Sequence, residues 1–150
     1  MDHVWVTFST VADNVPVAMS DIETTTVSEE GYGCSSQVGD FDMSIDATGE
    51  TGPDPNSALV ATYASCFLPA FRVGGQQRGE EDLGKIQIDS SADLDEDDDL
   101  TAIRFDIHVE ADLSDDELDE IVERAEDICH VHSALREGLH ADITVHGGAF

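Results

Sequence analysis

The strongest constraint in this sequence is residues 57–71, which carry no charged side chain in a chain of 150 residues with 34 acidic ones. Such a segment favours a mostly apolar helix that is buried on most of its sides. Pro69 is expected to kink or stop this helix, because proline lacks a backbone donor. Gly74 and Gly75 mark the predicted exit.

The segments around this helix alternate apolar and polar residues, which is typical of half-buried strands. The apolar positions of the predicted strands are Val4, Val6 and Phe8; Phe41, Met43 and Ile45; Ile86 and Ile88; Ile103, Phe105, Ile107 and Val109; and Ile143 and Val145. Ser114 and Glu117 have capping-box spacing, which predicts a second helix that buries Leu118, Ile121, Val122, Ala125 and Ile128. A helical turn is predicted over residues 133–137, with Gly138 as its stop. This order predicts an α+β fold.

The net charge of the chain limits the classes of partner that it can bind. The length suits a single domain over residues 1–150, and a net charge of −28 repels nucleic acid and anionic membranes. Acidic residues spread along the chain resemble those of cytosolic proteins from salt-accumulating organisms, since salt near 1 M shortens the screening length to about 3 Å. An ordinary acidic protein is the alternative. The absence of a basic, apolar N-terminus and of a long apolar span predicts a cytoplasmic protein without a signal peptide or membrane helix.

Three cysteines in such a chain predict free thiols rather than a disulfide framework. Cys66 lies within the apolar helix, and Cys129 lies at the end of the second helix. Each could simply pack as a small apolar residue, which is common for buried cysteine. Cys34, in the segment GYGCS, is predicted to be a strand-end thiol without a role.

Two segments carry a family resemblance. GPDPNSALVATYASCF (residues 52–67) resembles the segment around the peroxidatic cysteine of OsmC/Ohr proteins, in which a turn with proline leads into a helix of small residues. CHVHSAL (residues 129–135) resembles the second cysteine block of the family, with His130 where proline is usual. The order of strands and helices fits the same family.

The resemblance implies an OsmC-like fold, with an antiparallel sheet, a buried central helix and an intertwined homodimer. It also implies a peroxidase without a cofactor, in which Cys66 attacks an organic or inorganic hydroperoxide and becomes a sulfenic acid. Cys129 then condenses with Cys66, and an external dithiol reduces the disulfide. These steps follow general thiol chemistry, because the thiolate is the nucleophile and a nearby thiol resolves the sulfenic acid.

The sequence departs from the peroxidase members at the arginine that stabilises the reactive thiolate and at the glutamate that holds this arginine. No Arg or Lys precedes Arg72, and Asn56 occupies the glutamate position by its distance from Cys66. A thiolate needs a nearby positive group, so we expect one from elsewhere in the chain. Arg72 and Arg136 are the preferred groups, and His130, Arg78 and His132 are further candidates.

Other functions remain open at this point. A non-catalytic member of the family could bind a small apolar ligand or sense redox state.

A zinc site among the cysteine and histidines at the C-terminal end is disfavoured, because their spacing lacks paired ligands. These residues are Cys129, His130, His132, His140 and His146. The acidic run at residues 95–99 lacks the ligand spacing of a calcium loop and is predicted to be a solvated turn. No metal is therefore predicted.

Overall fold

A computed structural model describes residues 20–150. Its first sheet contains β1 (Thr24–Val27), β2 (Gly33–Val38) and β3 (Phe41–Asp46), paired antiparallel in that order. The strand predicted around Phe41 is confirmed as β3, whereas the strand predicted over residues 4–8 lies outside the described residues. β1 and β2 were not predicted, since their sequences, TTTV and GCSSQV, show little apolar alternation.

The central helix α1 (Pro55–Gln77) begins as the sequence suggests and ends later. Asp54 caps it by accepting a hydrogen bond from the Ser57 backbone N–H at 3.1 Å, and Pro55 suits the first turn, where no backbone donor is needed. The predicted end near Pro69 is wrong. Pro69 lies on the exposed side of the helix, where water can satisfy the carbonyl group that lacks its partner.

Gly74 and Gly75 lie within α1 instead of marking its exit, and both are buried. They sit where the helix passes close to other backbone. A Cβ atom at Gly74 would lie 3.2 Å from the carbonyl oxygen of Ile121, and one at Gly75 would lie 2.9 Å from the Leu83 side chain. The lack of a side chain at Gly74 therefore sets how closely α1 packs on the second long helix, and that at Gly75 makes room for Leu83.

Only one face of α1 is buried in the protomer. Tyr63, Phe67 and Phe71 are fully buried, whereas Thr62 and Ser65 are exposed. The prediction that α1 is buried on most of its sides is therefore wrong for a single protomer.

Contrary to the expectation from sequence, α1 is long and apolar enough by length and composition to cross a membrane, with 39% of its apolar window buried. Core helices of globular proteins meet the same criterion, and α1 packs its inner face into the core.

The second sheet contains β4 (Ile86–Leu94), β5 (Leu100–Val109) and β6 (Asp142–His146). β4 and β5 are antiparallel, but β5 and β6 are parallel. The α+β class is confirmed, and the antiparallel arrangement holds except for this pair, which the helices between β5 and β6 connect as a crossover. The acidic residues 95–99 form the turn between β4 and β5, as predicted.

Helix α2 (Asp115–Ile128) starts at the predicted capping box, in which Ser114 and Glu117 bind each other's backbone N–H. It buries Leu118, Ile121 and Ala125 against the core. A short helix, α3 (His130–Ala134), follows at once, and a 3-10 turn spans Glu137–Leu139. The turn predicted over residues 133–137, with a stop at Gly138, is therefore wrong, because Cys129 caps the new helix by accepting the His132 N–H.

Candidate active site

The fold brings Cys66 and Cys129 together. Cys66 is half-buried on α1, and Cys129 is 1% exposed at the junction of α2 and α3. Both cysteines are free, and they lie close enough for the Cys129 thiol to act on the pKa of Cys66. The contact arises because α1 packs against both α2 and α3, so two sulfurs far apart in the sequence share one site.

The environment of Cys66 favours its thiolate. Burial by itself raises the pKa of this thiol, but three hydrogen bonds outweigh burial and hold its pKa below the usual value. The donors are the backbone N–H of Val131, the thiol of Cys129 and the backbone N–H of His130. Hydrogen bonds to the charged form stabilise it, so Cys66 can ionise more readily than an ordinary cysteine.

Cys129 has the opposite tendency. Burial and the adjacent Cys66 together raise the pKa of its thiol to about 11, with burial as the larger cause, and a second thiolate beside the first would be repelled by it. Cys129 therefore keeps its proton and can donate it to the Cys66 sulfur. The pair has one half-buried sulfur that ionises first and one buried sulfur that stays a thiol.

The two arginines expected to support a thiolate do not do so in the protomer. Arg72 donates to the backbone carbonyl of Gly84 at 2.9 Å, and Arg136 donates to that of Leu100 at 3.1 Å. No Lys or Arg side chain within residues 20–150 contributes to the lowered pKa of Cys66. The assignment of Arg72 and Arg136 as supports is therefore wrong for a single protomer.

His130 acts through its backbone N–H, while its side chain is exposed. The expected imidazole support is thus replaced by a backbone donor.

Asn56, at the position of the family glutamate, donates from Nδ2 to the Asp98 carbonyl at 2.9 Å. That bond ties the start of α1 to the acidic turn between β4 and β5. Cys34 lies on β2, opposite Ile45 of β3, and does not join the other cysteines.

A buried polar network that the sequence did not reveal adjoins the thiol pair. The hydroxyl of Tyr63 lies 2.6 Å from Nδ1 of His132 and accepts the Ala141 backbone N–H at 3.1 Å. The His132 ring stacks on His140, with ring centroids 3.9 Å apart. One signal was available: Tyr63 lies three residues before Cys66 and His132 lies three after Cys129, so helical spacing puts each on the side of its cysteine.

A groove of about 950 Å³ runs between the first half of α1 and β4. It begins at the capped start of α1 and includes Val60, Ala61 and Ala64 on the helix and Ile88 and Ala92 on the strand. Ala64 is two residues from Cys66. The groove thus offers a largely apolar surface on the same helix as the half-buried thiol.

Comparison with known proteins gives a consistent picture. A family model described as OsmC-like protein matches residues 47–144. A protein of Haloferax volcanii, described as uncharacterized, is 72% identical over 132 residues, which cover 88% of this chain and all of the relative.

Solved structures with the same fold are more distant in sequence. The OsmC-like protein of Mycoplasma pneumoniae is 18% identical with a TM-score of 0.72, covering 87% of this chain and 97% of that one. The organic hydroperoxide resistance protein OhrB of Bacillus subtilis is 23% identical with a TM-score of 0.64, covering 86% of this chain and all of that one. At these identities the likeness establishes the fold.

Proposed function

The chain belongs to the OsmC-like protein family, and we propose that it is a thiol-dependent peroxidase that reduces organic or inorganic hydroperoxides. Cys66 is the nucleophile in this proposal, and Cys129 is the resolving cysteine. Structural relatives from Bacillus subtilis and Legionella pneumophila are named for organic hydroperoxide resistance, which supports the choice of substrate class.

The single observation that carries the proposal is the pair of neighbouring thiols whose pKa values shift in opposite directions. The pKa of the Cys66 thiol is lowered by hydrogen bonds, although burial opposes them, and the thiol is half-buried, so a peroxide can reach it. The pKa of the Cys129 thiol is raised to about 11 by burial. A low-pKa, accessible thiol beside a protonated one is the arrangement expected of a reactive cysteine and its resolver.

The proposed reaction has two chemical steps. The Cys66 thiolate attacks one oxygen of the peroxide and the O–O bond breaks. The leaving alkoxide of an organic peroxide takes a proton to become an alcohol, and the leaving hydroxide of hydrogen peroxide becomes water. Cys66 is then a sulfenic acid, oxidised by two electrons. The Cys129 thiol attacks that sulfur, an S–S bond forms and water leaves. An external dithiol returns both cysteines to thiols by disulfide exchange.

The proposal includes a homodimer. Phe41 and Met43 project from the same face of β3 and are 76% and 44% exposed in the protomer. An apolar face of this kind suits an interface with a second copy, which also suits the exposed side of α1. Light scattering should give twice the protomer mass. Phe41→Asp should lower that mass, whereas Asp42→Asn, on the opposite face of β3, should not. Monomeric wild-type protein would contradict the dimer.

The test of the peroxidase is consumption of cumene hydroperoxide and of hydrogen peroxide with dithiothreitol as the dithiol, at high KCl. Cys66→Ser should abolish consumption of both peroxides. Cys129→Ser, reduced and then freed of dithiothreitol, should consume a single equivalent of peroxide and accumulate a sulfenic acid, which dimedone traps on Cys66 and mass spectrometry identifies. Cys34→Ser is the matched control and should retain wild-type turnover.

Failure of the wild-type protein to consume either peroxide, with both thiols reduced, would reject the peroxidase. A second candidate function would then stand, namely a non-catalytic protein that binds a small apolar ligand or senses redox state. Two observations favour it: no guanidinium supports Cys66 in the protomer, and the apolar groove lies on the same helix. A Cys66 thiol pKa at or above about 8.5, measured by alkylation, would favour this second function.

A further inference from the structure

A second cluster of ligand-type side chains lies on the outer face of the second sheet. The inner face of β5 buries Phe105, Ile107 and other core residues, so the alternate positions Asp106 and His108 point away from the helices. Asp89 on β4 lies directly opposite Asp106 in the antiparallel register. His146 on β6 lies beside His108 in the parallel register. Three adjacent strands therefore contribute to one surface cluster.

The three central side chains direct their ligand atoms to one point. Nε2 of His108 lies 3.3 Å from Oδ2 of Asp89 and 3.4 Å from Oδ2 of Asp106. One ligand atom from each of the three residues falls within 4.8 Å of the others. Two ligands about 2.0–2.1 Å from a tetrahedral zinc ion lie about 3.3 Å from each other, which is close to the observed spacing.

The remaining oxygen of each carboxylate is held from outside the cluster. Gln87 donates from Nε2 to Oδ1 of Asp89 at 3.0 Å. His146 places Nε2 2.7 Å from Oδ1 of Asp106. Outer hydrogen bonds of this kind orient the ligating groups of metal sites. Both carboxylates are thus fixed through Oδ1 while Oδ2 is turned towards His108.

The two neighbouring carboxylates of the cluster would also be stabilised by a bound cation. Asp89 and Asp106 are directly opposed across two strands, an arrangement of like charges that destabilises a sheet. Within residues 20–150 neither carboxylate forms an ion pair with Lys or Arg, and Arg104, on the same face, pairs with Asp93. Histidine is the only potential counter-charge in contact with them in the described part of the chain.

We propose that Asp89, Asp106 and His108 bind one divalent transition-metal ion per protomer, with Gln87 and His146 as positioning residues that hold the two carboxylates. Two carboxylate oxygens and one imidazole nitrogen suit an ion of borderline softness such as Zn²⁺ better than Mg²⁺ or Ca²⁺, which prefer oxygen ligands alone. The site differs from the cysteine and histidine cluster that the sequence analysis disfavoured. It does not depend on the proposed peroxidase activity.

Zinc binding is best measured by calorimetry in about 1 M KCl, where screening suppresses diffuse attraction of cations to an acidic surface. Cys66→Ser/Cys129→Ser protein serves as the background, because thiolates would also bind zinc. We expect saturable binding of one ion per protomer. Mg²⁺ at the same concentration should give no saturable binding.

In this background, His108→Gln and Asp106→Asn should weaken zinc binding at least about a hundredfold, while His146→Gln, an outer contact, should weaken it by about 10- to 100-fold. Asp97→Asn is the matched control: it removes one carboxylate from the exposed acidic turn and should leave the affinity unchanged. Equal zinc affinity in His108→Gln and in the background protein would overturn the proposal, as would the absence of saturable zinc binding to the background protein.

Asp89→Asn separates loss of the site from loss of the fold. It removes one of two opposed like charges, so the metal-free protein should melt at a higher temperature than the background protein. It should also lose the rise in melting temperature that zinc gives to the background protein by binding the folded state. A zinc-induced rise in Asp89→Asn as large as in the background protein would contradict the ligand assignment.

Discussion

The hydroxyl of Tyr63 forms a hydrogen bond of 2.6 Å with Nδ1 of His132, which joins the central helix to the short helix that follows Cys129. The same hydroxyl already accepts the Ala141 N–H, so its own proton is available for the imidazole. Burial raises the pKa of Tyr63, so the phenol keeps that proton. The phenol can therefore donate its proton to Nδ1 of a neutral His132.

Removal of this hydroxyl should destabilise the fold. Tyr63→Phe leaves Nδ1 of His132 and the N–H of Ala141 without a partner in a buried place, which costs about 1–3 kcal/mol for an unsatisfied group. Urea unfolding at high KCl should show a lower midpoint with an unchanged slope. Tyr32→Phe is the control, because Tyr32 is exposed, and it should unfold like the wild type. Equal midpoints for Tyr63→Phe and wild type would contradict this role.

The buried imidazole should also make stability depend on pH. Burial and the neighbouring His140 lower the pKa of His132. As the pH falls below about 6.5, the unfolded chain takes up this proton before the folded chain does, so the free energy of unfolding declines. The decline should stop once the pH has passed the lower pKa of the folded state.

The measurement is the free energy of unfolding from pH 7.5 to pH 5, compared between the wild type and His132→Gln. Carboxylates titrate in both proteins, so their contribution cancels in the difference. The wild type should lose stability more steeply than the variant below about pH 6.5. Parallel curves would show that His132 is not protonated more easily in the unfolded chain.

The neighbouring Cys129 thiol should tune the reactivity of Cys66. The Cys129 thiol is one of the donors that lower the pKa of Cys66. Cys129→Ala removes that donor and should raise the pKa, whereas Cys129→Ser keeps a hydroxyl donor and should preserve most of the lowering. The pH dependence of Cys66 alkylation by iodoacetamide, followed by mass spectrometry, measures both. The prediction fails if the alanine and serine variants titrate alike.

Salt should stabilise the protein. A net charge of −28 makes the folded state repel itself, and salt near 1 M shortens the range of that repulsion to about 3 Å. The thermal midpoint should rise with KCl concentration and level off once screening is complete. The uncharged osmolyte sucrose, matched in osmolality, is the control for solvent effects other than screening. A midpoint that does not depend on KCl would contradict the interpretation of the charge as an adaptation to salt.

Features set by local chemistry could be predicted from the sequence. The capping box at Ser114 and Glu117 and the alternation from Ile103 to Val109 depend on neighbours in the chain, and both are confirmed. The end of α1 was mispredicted because Pro69 faces solvent, which only the packing of the helix decides. The alternation in β3 predicted the strand, but Phe41 is not covered within the protomer.

The candidate site depends on contacts between distant parts of the chain. Resemblance to a family, and no local pattern, suggested that Cys66 and Cys129 act together. Tyr63 and His132 are 69 positions apart, so their hydrogen bond could not be predicted from either segment. The arginines nearest to the cysteines in sequence were poor choices, because Arg72 and Arg136 direct their guanidinium groups at carbonyl oxygens.

The absence of a side chain at Gly74 bears on the rate at which the proposed disulfide between Cys66 and Cys129 would form. A methyl group there would lie 3.2 Å from the Ile121 carbonyl oxygen and press α1 away from α2. Those helices carry or precede the two sulfurs, and a disulfide closes only within a narrow span of separations. Gly74→Ala, eight positions from Cys66, would thus slow formation of the disulfide without touching either thiol, because it increases the separation of the segments that carry the two sulfurs.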